Sequence, residues 1–231
     1  MSFAARPIGL VKGGFVFVDV ITSDVTNYNL RARAVAAGWD QVVPLVATTT
    51  VNSGIVLSAD STGQYAFDTG VTFPAGTTLA LINNGFVIGM GGAGGANAVG
   101  SNGGPALRAQ HAITIDALGG SIGGGGGGGG GRGSGGGGRT GRTNSDDGGG
   151  SFPGAAGTFA SGGNGGNGGG LGGTNGQGGD GGSAGGGGGG WGEAGGMGNN
   201  GQYAGGTGGA AVVGNSYITW INTGTRYGSI T

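Results

Sequence analysis

Acid–base, nucleophilic and metal chemistry each need side chains that converge, and this 231-residue sequence supplies few candidates. His111 is its one histidine, in the run Arg108-Ala-Gln-His-Ala-Ile, with no partner for a nucleophile pair beside it. General acid–base catalysis needs a titratable group within hydrogen-bond reach of a reacting atom, and nothing around His111 meets that requirement. The ten acidic residues are scattered, with Asp146-Asp147 as an adjacent pair. Neighbouring side chains diverge, and such pairs belong to solvated turns. The calcium-binding repeat of glycine-rich coils needs recurring aspartates, whereas Asp180 stands alone. Repeated GxGxxG strings are uninformative here, because a dinucleotide site needs a strand before the glycines and a helix after them. No catalytic residue, cofactor or metal is expected.

Two features have the chemistry of recognition instead. The first is the longest break in the glycine-rich half, Arg139 to Phe159, which mixes Arg139, Arg142, Asn144, Asp146 and Asp147 with Phe152, Pro153 and Phe159. Broken periodicity implies a loop, and loops on rigid scaffolds carry binding. The second is the stripe Trp191, Met197, Tyr203, of the aromatic and thioether types enriched in contact surfaces. The competing expectations are a solvated linker for the first, and packing beneath the C-terminal strand around Trp220 for the second.

The elements that must position these residues follow from composition. Of 71 glycines, all but 11 lie between Gly89 and Gly214. Leu171, Thr174, Gln177, Asp180 and Ser183 recur every third residue. Trp191, Ala194, Met197, Asn200 and Tyr203 do the same, as do Met90, Ala93, Ala96, Val99, Asn102 and Pro105. A period of three is neither helical nor that of a strand. It belongs to polyproline-II geometry, whose backbone groups make no internal hydrogen bonds and must find neighbours. Glycine alone lets such chains approach closely. Gly123–Gly131 and Gly185–Gly190 therefore suit buried chains, and the stripes suit the surface. Each interchain bond contributes roughly 0.5–1.5 kcal/mol net, against a backbone entropy cost of about 1–2 kcal/mol per residue. Only dense, multiply bonded packing closes that gap.

The flanking parts are ordinary. Gly14–Ile21 (GFVFVDVI) and Leu45–Val51 read as strands. Between them Thr26 or Asn27 caps a short helix through Leu30, Ala34 and Ala37, stopped by Gly38 and sealed by Trp39. Val51-Asn-Ser-Gly54-Ile-Val-Leu57, Ile82-Asn-Asn-Gly85-Phe-Val-Ile88 and Ile115 to Ile122 form a weak repeat at solenoid spacing. They are expected to be stacked hairpins or β-helix-like rungs. Ala211 to Ile221 is strand-like, with Trp220 as anchor, and is placed over an apolar edge of the glycine block.

Function classes narrow accordingly. Net charge is −1 with 8% charged residues, so no basic field exists for nucleic acid or anionic membrane. Arg132, Arg139 and Arg142 are too few, against Asp146 and Asp147, for an RNA-binding arginine–glycine tract. Cysteine is absent, which excludes a disulfide scaffold. No apolar run approaches the length of a bilayer span, and Met1–Leu10 lacks the order of a signal peptide. The expected organisation is an N-terminal α+β or β-rich attachment region (1–47), β-strand or hairpin rungs (48–88), a polyglycine-II domain (89–210) and a C-terminal strand (211–231).

The strings LINNGFVIGMGGAGG (Leu81–Gly95), GGPAL (Gly103–Leu107), the nine-glycine run and AVVGNSYITWINTGTRYGSI (Ala211–Ile230) together resemble glycine-rich bacteriophage tail-fibre adhesins, in which polyglycine-II helices pack as a sandwich. The resemblance covers about Val51 to Thr231. It implies a virion protein of the fibre tip. The N-terminal region would dock to the fibre shaft or baseplate, and loops at the distal end of the array would bind an outer-membrane protein or glycan of the host. The first 45 residues match no attachment domain. A structural fibre cap shares the same fold. An ice-binding polyglycine-II protein would instead need a regular Thr/Ala face, which the mixed stripes do not provide.

Overall fold

The computed structural model describes residues 7–11, 14–131, 135–141, 154–166 and 169–231. The described chain is mainly β, wound as a three-sided parallel coil. A first strand, β1 (Pro7–Val11), lies antiparallel beside β2 (Gly14–Ile21). The first rung is β2, β3 (Val25–Thr26) and β4 (Tyr28–Asn29), followed by α1 (Leu30–Ala36). The second is β5 (Leu45–Val51), β6 (Val56–Ser58) and β7 (Phe67–Asp68). The third is β8 (Thr78–Asn83), β9 (Phe86–Ile88) and β10 (Leu107–Arg108). The fourth is β11 (Ile113–Asp116), β12 (Ser121–Gly123) and β13 (Val212–Val213). The last has a 3₁₀ turn (Asn215–Tyr217), then β14 (Ile218–Asn222) and β15 (Thr225–Tyr227).

Each strand pairs in parallel with its counterpart one rung away, giving sheets β1-β2-β5-β8-β11-β14, β15-β12-β9-β6-β3 and β13-β10-β7-β4. We call these the first, second and third faces. Successive rungs are offset by 30, 32 and 34 residues (Phe17 to Ala47, Ala47 to Leu79, Leu79 to Ile113) and then by 105 (Ile113 to Ile218). The repeats are therefore rungs and not hairpins. The two strands of each repeat lie in different sheets, because an Asx/Gly corner turns the chain instead of reversing it. At one such corner Asn83, fully buried, accepts from the Gly85 amide at 3.1 Å and donates to the Ser121 carbonyl at 3.1 Å.

Two expected boundaries dissolve in this topology. Residues 14–47 are the first rung and the start of the second, continuous in register with residues 48–88. Residues 211–231 are not a strand over the glycine block. They complete the fourth rung and build the last, with Trp220 beside Ile115 on the inward side of the coil. The helix cap also differs: Asn29, not Thr26 or Asn27, accepts from the Ala32 amide at 2.8 Å. Asn29 is the last extended residue before the helical turn, which is where a cap must stand.

Inward residues alternate along each strand and stack into columns, such as Phe17, Ala47, Leu79 and Ile113. Tyr28 stacks on Phe67 at 5.4 Å between ring centres. Its hydroxyl donates to buried Asp19 at 3.0 Å and meets Thr49 at 2.9 Å, while Arg33 closes the group on Asp19 at 2.7 Å. Burial, then the Asp19 carboxylate, drives the Tyr28 pKa far above its ordinary value. A raised folded-state pKa gives stability that is intact below the unfolded value of about 10 and lost as pH climbs above it. The melting temperature is expected to fall progressively above that pH. Tyr28→Phe should start lower at neutral pH but lose less on alkaline titration, and parallel curves for the two proteins would disprove the assignment.

The glycine-rich segments arise at one corner of the coil. The connection from the second face to the third is 1 residue in the first rung (Asn27), 8 in the second (59–66), 18 in the third (89–106) and 88 in the fourth (124–211). The array thus grows outward from that corner, and its central chain is the nine-glycine run. Gly125, Gly128 and Gly131 donate to Gly104, Ser101 and Ala98; Gly126 and Gly129 donate to Arg139 and Gly136; Gly127 and Gly130 donate to Glu193 and Gly196. In return its carbonyls accept from Gly89, Gly92 and Gly95, from Gly186, Gly189 and Gly192, and from Gly206 and Gly209. One chain is thereby bonded to six neighbouring segments, with each partner recurring every third residue. The run 185–190 is buried and multiply bonded in the same way, to segments that include 123–131, 135–139, 169–173 and 176–179. Leu171, Thr174, Gln177, Asp180 and Ser183 all stand exposed at the surface.

Candidate functional site

The hydrogen-bonding directions give the array two ends. Segments run out from the coil and back, so alternate turns lie beside the coil or at the far end. Gly131 pairs with Ala98, Gly198 with Tyr203, and the Asn199 and Asn200 amides bond the Ala184 and Gly182 carbonyls. The turns at Ala96-Asn97, at Gly182-Ser183 and at Asn199 to Gln202 therefore gather at the far end. At a rise of about 3.1 Å per residue, eight steps from Gly123 to Gly131 carry that end roughly 25 Å from the coil.

The near end is an anchor. Trp191 is 3% exposed and packs with Val56 and Ile88 of the second face, against Phe86, Phe159 and Tyr227. Its ring lies 5.1 Å from that of Phe159 and 5.6 Å from that of Tyr227, and its indole N–H donates to the Thr140 carbonyl at 3.0 Å. Arg139, 8% exposed, lays its guanidinium 3.5 Å from the centre of the Trp191 ring. Its Nε donates to the Phe159 carbonyl at 2.9 Å, and Nη1 to the Thr174 carbonyl and Asn175 Oδ1. Burial pulls the guanidinium pKa down, and Tyr227 opposes this. A buried guanidinium is tolerable where oxygens and an aromatic face replace water.

This geometry divides the sequence candidates. Arg139 and Trp191 are withdrawn from any receptor, and Phe159 joins them in the anchor. The stripe of three-residue spacing does not make one surface, because its first member turns inward onto the coil. The packing partner is Tyr227 of β15 and not Trp220. Met197, 42% exposed, and half-buried Tyr203 are carried to the far end beside the Asn199–Gln202 turn. Arg142, Asn144, Asp146, Asp147 and Phe152 lie outside the described residues.

The far end also holds residues that the sequence reading passed over. Asn97, Asn199 and Asn200 all have positive φ, at 50°, 51° and 53°. Asn tolerates this left-handed turn conformation better than other non-glycine residues. Asn199 Nδ2 donates to Gln202 Oε1 within the turn. The available signal was an asparagine next to, or in, a stripe position of the three-residue spacing. The surface made by these turns is polar and amide-rich, with Tyr203 and Met197 at its margin and, beside Met197, exposed Asp180, whose Oδ1 accepts from the Met197 amide at 2.7 Å. It can donate and accept hydrogen bonds and stack a ring. Among the described residues, no cluster of His, Cys, Asp or Glu could hold a metal ion.

The described chain is thus a parallel coil that grows a glycine array from one corner, with amide-bearing turns at its free end. A family model described as phage tail fibre adhesin Gp38 matches residues 17–231, and the chain belongs to that family. It is a bacteriophage tail fibre adhesin, a virion protein whose family and fold are those of a binding and structural part. The crystal structure of the gp37-gp38 adhesin tip complex of the bacteriophage S16 long tail fibre shares its fold, with a TM-score of 0.65 and 24% identity over 93% of this chain and 82% of that chain. No curated protein sequence matches the chain.

Proposed function

We propose that the turns at the far end of the glycine array bind the host-surface receptor, an outer-membrane protein or a surface glycan. The chain would be held on its fibre by the coil. The observation that carries this reading is the division of the array into a near end sealed by Trp191 and Arg139 and a far end built of exposed turns. Family membership supplies the adhesive role. The solved relative, found in a complex with gp37, supports attachment to a fibre protein. We read the array itself as polyglycine II, threefold helices in hexagonal contact, on the strength of the six bonded neighbours and the three-residue recurrence. Such a block needs no hydrophobic core and acts as a stiff spacer. Arg142, Asn144, Asp146, Asp147 and Phe152 remain candidates for the same surface on their chemistry.

The test uses substitutions that keep the backbone. Asn97→Gly, Asn200→Gly and Gln202→Ala together remove three amide side chains, and glycine accepts the positive φ at the first two positions. Purified protein carrying all three should lose its ability to block phage adsorption by at least about tenfold, since binding hot spots contribute about 2 kcal/mol or more each. Its melting temperature should stay within about 3 °C of wild type. Full blocking by the triple variant would refute the far-end assignment. If replacing Arg142 and Phe152 as well had no effect, a structural fibre cap would be the better reading.

A further inference from the structure

The three faces of the coil are not alike on the outside. The second is covered by the array, through Trp191 and Phe159 on Val56 and Ile88. The third is polar: Asp68 takes a two-pronged bond from Arg108, at 2.6 and 3.2 Å, and a third from Asn29 at 3.1 Å. Among the described residues nothing covers the first face, whose outward side chains are mostly valine, isoleucine and threonine. Val18, Val20, Val46 and Ile82 are 36, 50, 42 and 38% exposed, and Thr48 and Thr114 continue the row of Val18 across neighbouring strands. A parallel sheet is ordinarily covered on both sides. At strand spacings of about 4.8 Å and outward rows about 6.6 Å apart, this face offers roughly 500 Å² of flat surface. That is at the upper end of what a monomer leaves bare and more than half of the ~800 Å² per partner in a standard interface. The one ionisable outward side chain among its described residues, Asp116, turns its Oδ1 to the Leu118 amide at 3.2 Å and the Asn222 side chain at 3.1 Å.

We infer that this first face is the seat of the adhesin on its fibre, and that it takes a flat, uncharged surface of the fibre protein rich in β-branched side chains. The inference rests on the proposed attachment of the coil to a fibre protein and names where that attachment is made. Position supports it as well as chemistry. In a three-sided coil the first face lies opposite the corner between the second and third, from which the array projects. Burying it leaves every far-end turn uncovered. The seat also draws on more than the N-terminal region: Val18, Val20 and Val46 fall within residues 1–47, but Ile82 comes from the third rung. Apart from Asp116, whose Oδ1 is engaged within the coil, the described residues of this face carry no outward charge, so the face fits an uncharged partner, since desolvating a lone charge against it would be costly.

The experiment compares wild type with Val18→Lys/Ile82→Lys. The two positions stand on β2 and β8, outward and separated by β5. The probe is the purified fibre shaft protein of the phage that carries this chain, with binding read by titration and self-association read by sedimentation. The lysine pair should weaken fibre binding at least about 100-fold while the isolated protein still blocks host adsorption as wild type does. Val18→Thr/Ile82→Thr should stay within about tenfold of wild type. If the lysine pair perturbs folding, Thr48→Lys and Thr114→Lys, tested separately, ask the same question with smaller risk to the sheet. Undiminished fibre binding by the lysine variants would overturn the inference and leave attachment elsewhere. A wild-type dimer that the lysines dissociate without loss of fibre binding would assign the face to a second copy and overturn it too. Failure of wild type itself to bind the shaft protein would sink both this seat and the proposed attachment.

Discussion

Gly127→Val is expected to abolish the folded glycine array, while Gln177→Val leaves it intact. A Cβ added at Gly127 would lie 2.0 Å from the Gly206 carbonyl oxygen and 2.8 Å from that of Thr207, both backbone atoms of a neighbouring chain. Neither can rotate away as a side chain would. Retreat by that chain would break the bonds by which Gly206 and Gly209 hold the central run. Overpacking in an ordinary core costs about 1–3 kcal/mol because side chains adjust. Here the loss should exceed that range, because several bonds at about 0.5–1.5 kcal/mol each go together. Gln177 is exposed, so its replacement should stay within about 0.5 kcal/mol. At about 2–4 °C per kcal/mol for a chain of this size, calorimetry should separate the variants by more than 10 °C, if Gly127→Val gives a cooperative transition at all. Equal melting temperatures would disprove the close packing of the central run.

The second large effect is at the anchor. Trp191→Ala is expected to cost about 3–5 kcal/mol, the usual loss for a large aromatic side chain removed from a core. It would also take the ring from beneath the Arg139 guanidinium, a contact worth about 2 kcal/mol when desolvated. The array would then be tied to the coil mainly by backbone bonds. Calorimetry should show a melting temperature lowered by about 6–20 °C. Adsorption blocking measured well below that temperature should be nearly unchanged, because the turns proposed to bind the receptor are at the other end. Tyr203→Ala should behave in the opposite sense, with little change in stability and reduced blocking. A Trp191→Ala protein of normal stability that no longer blocks adsorption would return Trp191 to the binding surface and remove the anchor.

Much of this was legible in the sequence, for particular reasons. The strands Gly14–Ile21 and Leu45–Val51 were marked by β-branched and aromatic runs with clear ends. The Asx/Gly corners marked the recurrence but left hairpins and rungs both open, because such a turn can either reverse a chain or bend it. The buried runs 123–131 and 185–190 were marked by their lack of side chains. The separation of the candidate residues was not legible. Arg139 and Trp191 have the types of binding hot spots, and those same types make good anchors, since a planar cation and an indole satisfy each other equally well inside. Residue type states what a side chain can do and leaves open which way it faces.

By itself, then, the amino-acid sequence determined that this protein would be β-rich and glycine-built and, among the described residues, ordered by backbone bonding where glycine recurs. Those are consequences of local composition and period. The tertiary structure decided what depends on distant partners. It decided that residues 14–47 and 211–231 close the same coil, since parallel pairing joins strands up to 105 residues apart. It decided that Trp191 faces Val56, and that Asn97 shares an end with Asn199. A three-residue period gives each chain three equivalent sides, and nothing within the chain says which neighbour will lie against each. Only the packing of all the segments at once assigns one side to the interior and another to solvent.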